Sequence, residues 1–212
     1  PLPRATAQAE PKKLTPLKIT DVKAVLTAPA RIRLVVVKVT TSEPGLYGLG
    51  CATFTQRARV VETAIATHLK RYLIGKDPRA VAHHWQAIYR HAFYRGGPVL
   101  TSALSGIDMA LWDIKGKALG VPVYELLGGP TRSKVRVYAH ARTPAAIRAG
   151  VAAGFTAFKT GPQFRRRYPR YIETPSQVQY AVEQFAALRK AGGDDVDIAI
   201  DFHGKVSPAL AK

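Results

Sequence analysis

Three side chains in the last third of the chain have the types and spacing to do chemistry together. Asp201 and His203 stand two residues apart at the end of the segment Val-Asp-Ile-Ala-Ile-Asp-Phe-His, residues 196–203. Read as a strand, this segment sends Val196, Ile198 and Ile200 to one face and Asp197, Ala199, Asp201 and His203 to the other. A carboxylate aimed into a protein interior is costly unless something positive or hydrogen-bonding meets it, so Asp201 calls for a cation or a partner. The imidazole of His203 is a side chain suited to giving up or accepting a proton. Lys159 closes an earlier strand-like segment, where its ammonium would meet an anionic substrate, pair with Asp201, or emerge into a loop. An Asp and a His at this spacing also serve as an ordinary capping or hydrogen-bonding pair, so the pattern alone leaves those readings open.

The flanking sequence predicts the elements that would position these groups. After Gly128-Gly129-Pro130 the rhythm is strand (134–139), helix (Thr143-Pro144 to about 153), strand (155–160), helix and strand (196–203). The second of these helices begins at Thr174-Pro175-Ser176-Gln177, which has the form of a capping box, and stops at Gly192-Gly193. Such βαβαβ alternation makes parallel strands with right-handed crossovers, as in a barrel or an open doubly wound sheet. In a barrel, the carboxyl ends of the strands hold the active site, and Asp201, His203 and Lys159 fall there.

Upstream, residues 17–27, 31–40 and 46–53 read as a three-stranded antiparallel sheet. A helix over 57–74 follows, with Val61, Ile65, Leu69 and Leu73 on one stripe and Gly75 as its stop. Asp77 is expected to cap the next helix, with Pro78 in its first position, through Trp85 to about His91. Gly96-Gly97-Pro98 separates it from a longer helix over 99–119, striped by Leu100, Leu104, Ile107, Leu111 and Ile114. His83, His84 and His91 lie on the short helix without acidic companions and read as ordinary helix residues. Cys51, in an apolar context, reads as a buried structural thiol.

Several stretches resemble a known family. Tyr94-Arg95-Gly96-Gly97-Pro98, the run from Ile107 to Val123 (IDMALWDIKGKALGVPV) and Leu126-Leu127-Gly128-Gly129 resemble the mandelate racemase and muconate-lactonizing enzyme branch of the enolase superfamily. The run from Asp201 to Ser207 resembles the galactonate dehydratase group of sugar-acid dehydratases. Residues 1–16 read as a flexible leader, and the resemblance, which begins near Leu17, implies an α+β capping domain over 17–130. The first part of a (β/α)7β TIM-like barrel would occupy 131–212. It also implies Mg2+-dependent dehydration of an aldonate such as galactonate, by abstraction of the proton α to the carboxylate and β-elimination of water.

In that scheme Asp201 is one of three carboxylate ligands to Mg2+, and His203 is the acid that protonates the departing hydroxide. Lys159 neutralises the substrate carboxylate, and Tyr94 and Arg95 contact the substrate. Loops near 28–31 and 51–57 would set specificity, while Asp108, Trp112 and Asp113 would serve packing and domain docking. Two departures matter. Gly161 stands where lysine-base branches carry the second lysine of Lys-x-Lys, which disfavours a racemase or epimerase. The sequence also stops at Lys212, ahead of the other two metal ligands and a later histidine base, so the site is expected to be incomplete in this chain. Relatives of this kind are homo-oligomers, and a homo-oligomer is expected.

Composition narrows the remaining classes. With 47% hydrophobic and 22% charged residues the chain can bury a core and does not read as disordered. No run approaches the roughly 20 apolar residues that span a bilayer, so no membrane association is expected. One cysteine excludes an internal disulfide and a cysteine-built metal site. The net charge of +18 invites nucleic acid. The Lys and Arg are dispersed, however, and the one dense cluster, Arg165-Arg166-Arg167 with Arg170, reads as a solvated loop. Nucleic acid is therefore disfavoured as a partner, although a non-catalytic basic binding protein stays open. A cytoplasmic location is expected; the alternative is export, from the cleavage-like Ala7-Gln8-Ala9.

Overall fold

Alternation along β2 (Leu34–Thr41) buries Val35, Val37 and Val39 completely, and this row is the floor of the larger of two cores. The computed structural model describes residues 16–91, 93–163, 174–204, 206 and 208. The arginine cluster at 165–170, Lys205, Ser207 and the leader apart from Pro16 lie outside the described residues. The chain divides into two compact units, Pro1–Thr131 and Arg132–Lys212.

In the first unit β1 (Ile19–Thr27), β2 and β3 (Tyr47–Cys51) form an antiparallel sheet in the order β1-β2-β3. Cys51 pairs with Val36 rather than with the buried row, so it shares the sheet's outer face. The thiol is accordingly exposed, against the expectation of burial, and donates to Thr53 Oγ1 at 3.0 Å.

The helix expected over 57–74 is broken into α1 (Ala58–Thr63), a wide π turn (Ala64–Leu69) and α2 (Lys70–Leu73). Thr63 and Thr67 hydroxyls donate back to the carbonyls of Arg59 and Thr63 in this stretch, a bond that loosens a helical ladder. Val61, Ile65, Leu69 and Leu73 all reach the core. The long helix α4 (Gly97–Leu119) buries Leu104, Ile107, Leu111 and Ile114 but leaves Leu100 exposed. Gly120, at φ 70°, closes it in the left-handed conformation that glycine adopts without strain. The short α5 (Val123–Leu126) follows.

Small residues, absent from the expected stripe, decide how α4 meets the sheet. A Cβ on Gly48 would collide with the Ala110 carbonyl, and one on Gly50 with the Gly106 carbonyl. From the helix side, a Cβ on Gly106 would lie 2.6 Å from the Ala52 Cβ. Strand and helix therefore touch backbone to backbone, and Asp113 fixes their offset by accepting from Leu49 N at 2.9 Å and from Lys117 Nζ at 2.7 Å. Trp112 packs, partly buried, on the same core.

The next helix, α3 (Val81–Arg90), starts three residues later than expected. Asp77 accepts from Arg79 N at 2.9 Å and pairs with its guanidinium at 2.6 Å, so Pro78 sits in a turn and Ala80 occupies the cap position. His84 also departs from the sequence reading, because it is only 2% exposed. Its Nε2 lies 2.8 Å from the Asp77 carbonyl and its Nδ1 3.1 Å from the Tyr72 hydroxyl. A carbonyl only accepts, so Nε2 carries a hydrogen; in the neutral ring Nδ1 accepts from the Tyr72 hydroxyl, and the two bonds tie α2 to α3.

Burial pushes the His84 pKa below its ordinary 6.5. A depressed folded-state value means that the unfolded chain binds the extra proton more readily. The contribution of His84 is thus full above about pH 6.5 and is lost as pH falls toward the lowered value. His84→Gln cannot titrate. The drop in melting temperature between pH 7 and pH 5 is expected to be shallower in this variant than in the wild type, and parallel curves would refute the assignment.

In the second unit β4 (Ala139–His140), β5 (Ala157–Thr160) and β6 (Asp197–Ile200) run parallel in that order. Helices α6 (Pro144–Ala152) and α7 (Pro175–Gly192) form the crossovers. Ile147, Phe158, Leu188 and Val196 make the core between helices and sheet. The hydroxyl of Thr143 caps α6 by accepting from Ala146 N at 3.1 Å. Thr174 makes no equivalent bond at α7, so the capping box read there is not formed at its threonine end.

The first strand is shorter than expected. Residues 134–138 lie outside the ladder, and Val135 and Val137 are 74% and 60% exposed. Arg136 reaches across instead, donating to the Thr156 carbonyl at 2.7 Å and pairing with Asp197 at 2.6 Å. No described helix is long and apolar enough to cross a membrane.

Candidate active site

Phe158 is buried toward α6, where a Cβ on Gly150 would strike its ring, so its neighbour Lys159 faces the opposite side of the sheet. Parallel register sets Lys159 beside Ala199 and Thr160 beside Ile200. The ladder continues one residue past β6, with Asp201 N donating to the Thr160 carbonyl at 2.8 Å. Asp201 thereby keeps the face of Ala199, and Lys159 Nζ lies 2.9 Å from Asp201 Oδ2.

The chain then turns sharply. His203 adopts φ 52° and Gly204 φ 70°. This left-handed bend costs a non-glycine residue on the order of 1 kcal/mol. It brings His203 N to 2.9 Å from Asp201 Oδ1, and ring Nδ1 to 3.6 Å from Asp201 Oδ2. The imidazole is otherwise open, its side chain 81% exposed.

Asp201 is the hub of the cluster. The hydrogen bond from Lys159 holds its carboxyl below the usual carboxylate range, assisted by the His203 amide. The same bond raises the Lys159 ammonium above its ordinary value. Both groups are ionised throughout the neutral range, and Lys159 has donors to spare for a second anion. An ammonium, a carboxylate and an exposed imidazole on one sheet face suit the binding of an acid and the transfer of a proton.

Two neighbours escaped the sequence reading. The Lys159 ammonium lies 6.0 Å from the Tyr138 ring centroid, and Tyr138 meets His140 edge-on at 5.8 Å. His140 is register partner to Lys159. The alternation of Tyr138 and His140 ahead of a helix cap was the available signal.

Lys159, Asp201 and His203 belong to the second unit, whereas Tyr94 and Arg95 belong to the first. Tyr94 is 85% exposed and stands edge-on to Phe93 at 5.3 Å. With Arg95 it lines a cleft of about 30 Å³ beside Leu69, Ile88 and Leu104, room for a single water. Asp108 is half-buried on α4, and burial raises its carboxyl pKa.

A carboxylate oxygen is the donor that Mg2+ prefers, and Asp201 fits as one such ligand. Among the described residues no group of three or more His, Cys, Asp or Glu could hold a metal ion, so the fit extends to one ligand and not to a full set.

Residues 5–128 match the amino-terminal domain of the mandelate racemase/muconate lactonizing enzyme family. A D-galactonate dehydratase family member of Enterococcus gallinarum is 40% identical over 92% of this chain and 53% of its own length. The D-galactonate dehydratase of Ralstonia pickettii is 47% identical over 85% of this chain and 47% of its own length. The chain thus spans about half the length of these relatives. The crystal structure of an enolase from Pantoea ananatis with bound D-gluconate and Mg superposes with TM-score 0.82 and 39% identity, over 92% of this chain and 56% of that one. An α+β first unit, a matched amino-terminal domain and this shared fold lead to one conclusion: the chain belongs to the mandelate racemase/muconate lactonizing enzyme branch of the enolase superfamily.

Proposed function

We propose that the protein dehydrates an aldonic acid of the galactonate type, with Mg2+ as cofactor, and that its second unit begins a (β/α)7β barrel. The observation that carries this reading is the cluster of Lys159, Asp201 and His203 on one face of adjacent parallel strands. The relatives named D-galactonate dehydratase and the neighbour holding D-gluconate and Mg support the substrate class.

In this reading Asp201 would be one metal ligand, and a bound Mg2+ would supply positive charge against the negative charge that builds on the substrate carboxylate as its α proton passes to a histidine base, which the family resemblance places on a later strand. Lys159 neutralises that carboxylate. His203 gives its proton to the departing β-hydroxide, so that water leaves rather than a strong base. Gly161 has no side chain, and a Cβ there would meet only the Asp201 carbonyl, at 3.6 Å, so no lysine base arises from that position.

The test is product formation from a panel of aldonates, run on this chain and on the product of the gene read through to its next stop codon. Formation of a 2-keto-3-deoxy acid by the longer product, abolished by EDTA and restored by Mg2+, is expected. Lys159→Met should raise KM by about tenfold or more with a smaller change in kcat, because it removes charge from the substrate carboxylate. Inactivity of the longer product toward every aldonate would overturn the reading.

A further inference from the structure

The first-unit sheet, in the order β1-β2-β3, ends at β3. An edge strand presents a row of unpaired N–H and C=O groups on which another chain can add a strand, and proteins blunt such edges with charge, proline or a bulge. This strand carries none of the three. Residues 45–56 include no charged side chain and no proline, and the β2–β3 register runs unbroken from Val36 opposite Cys51 to Thr40 opposite Tyr47. Tyr47, Leu49 and Cys51 are exposed along it, an apolar row that would reinforce an added strand.

Protection comes from the helix instead. With Gly48 and Gly50 set against the Ala110 and Gly106 carbonyls, α4 lies so close to β3 that a side chain as short as aspartate spans the gap. Asp113 Oδ2 accepts from Leu49 N at 2.9 Å, and Lys117 Nζ donates to the Tyr47 carbonyl at 2.9 Å. The two side chains, one helical turn apart, are joined at 2.7 Å in the favourable order of acid before base. One outward donor and one outward acceptor of β3 are thus occupied by charged groups of the same chain. The Lys117 ammonium also lies 4.7 Å from the Tyr47 ring centroid and the Lys38 ammonium 4.3 Å, so an approaching copy would meet two cations there.

We propose that the Asp113–Lys117 pair is a plug on the β3 edge, which keeps it from adding β3 of a second copy of this chain. A backbone amide and carbonyl already bonded to charged side chains gain less from a new strand, and seating one would strip water from both charges. An antiparallel copy is the occupant that the strand suits: Leu49 would stand opposite Leu49, and Tyr47 of each copy opposite Cys51 of the other. The plug lies wholly in the first unit and draws nothing from the dehydratase reading.

Analytical ultracentrifugation of the full chain tests it. Asp113→Ala/Lys117→Ala is expected to raise the weight-average mass at least about twofold over the wild type at equal concentration, because the edge is then open. The Leu49 amide of this variant should become protected from hydrogen exchange as its concentration rises. Adding Leu49→Glu places a charge on the strand itself and restores neither bond to the helix, yet it should return the wild-type mass. A purely structural role for the pair would give a misfolded variant whose association Leu49→Glu does not reverse. The proposal fails on that result, on a double variant with the wild-type mass, or on Leu49 exchange that is independent of concentration.

Discussion

Asp201→Asn is expected to lower kcat/KM for the proposed aldonate dehydration at least about a thousandfold, since it removes a charge that acts at the site of chemistry. The side chain has two duties in the structure. Oδ2 receives Lys159 at 2.9 Å, and Oδ1 receives the His203 amide at 2.9 Å, so the carboxylate orients both the cation and the strained turn that presents the imidazole. An asparagine keeps the shape but loses the charge, is a poor ligand for a hard cation, and offers Lys159 a weaker acceptor.

The Lys159 pKa, raised mainly by its hydrogen bond to Asp201, should fall in the variant, and this can be followed by NMR of the side chain. Assay of the variant under saturating Mg2+ and circular dichroism of its fold complete the measurement. Activity within tenfold of the wild type, with an unaltered Lys159 titration, would mean that Asp201 is only a turn-capping residue.

Gly50→Ala is expected to destabilise the first unit by about 3 kcal/mol, through overpacking against a backbone that has no room to give. For a unit of this size that is a fall in melting temperature of roughly 10 °C. The added methyl would meet the Gly106 carbonyl, which belongs to α4 and is held by the helical ladder, and Gly106 is itself pressed on Ala52 and Val37. Gly48→Ala should behave alike against Ala110, whereas Gly45→Ser, with nothing within 4 Å of its Cβ, meets only the cost of its left-handed turn. Thermal denaturation of the three variants ranks them. A Gly50→Ala melting curve superimposed on the wild type would show that strand and helix do not touch here.

Much of the fold was legible because its signals are local. Helical spacing of Val61, Ile65, Leu69 and Leu73, and the alternation of Val35, Val37 and Val39, mark buried faces without knowledge of what covers them. The same logic marked Asp201 and Lys159 as residues on a shared kind of face. Local signals fail where a residue answers to a distant neighbour. His84 looked ordinary because Tyr72 and the Asp77 carbonyl lie on other elements. Cys51 looked buried because apolar context does not reveal which face an edge-strand residue takes. The closest sheet-to-helix contact was missed because glycine carries no hydropathy signal.

The sequence by itself determined the order and kind of the elements, the family motifs, and the presence of a carboxylate, an imidazole and an ammonium at strand ends. Tertiary structure alone decided that Lys159 and Asp201 meet at 2.9 Å and that His203 turns back over the same carboxylate. Side-chain period is a property of each segment separately, whereas contact between segments depends on the register and spacing with which they dock.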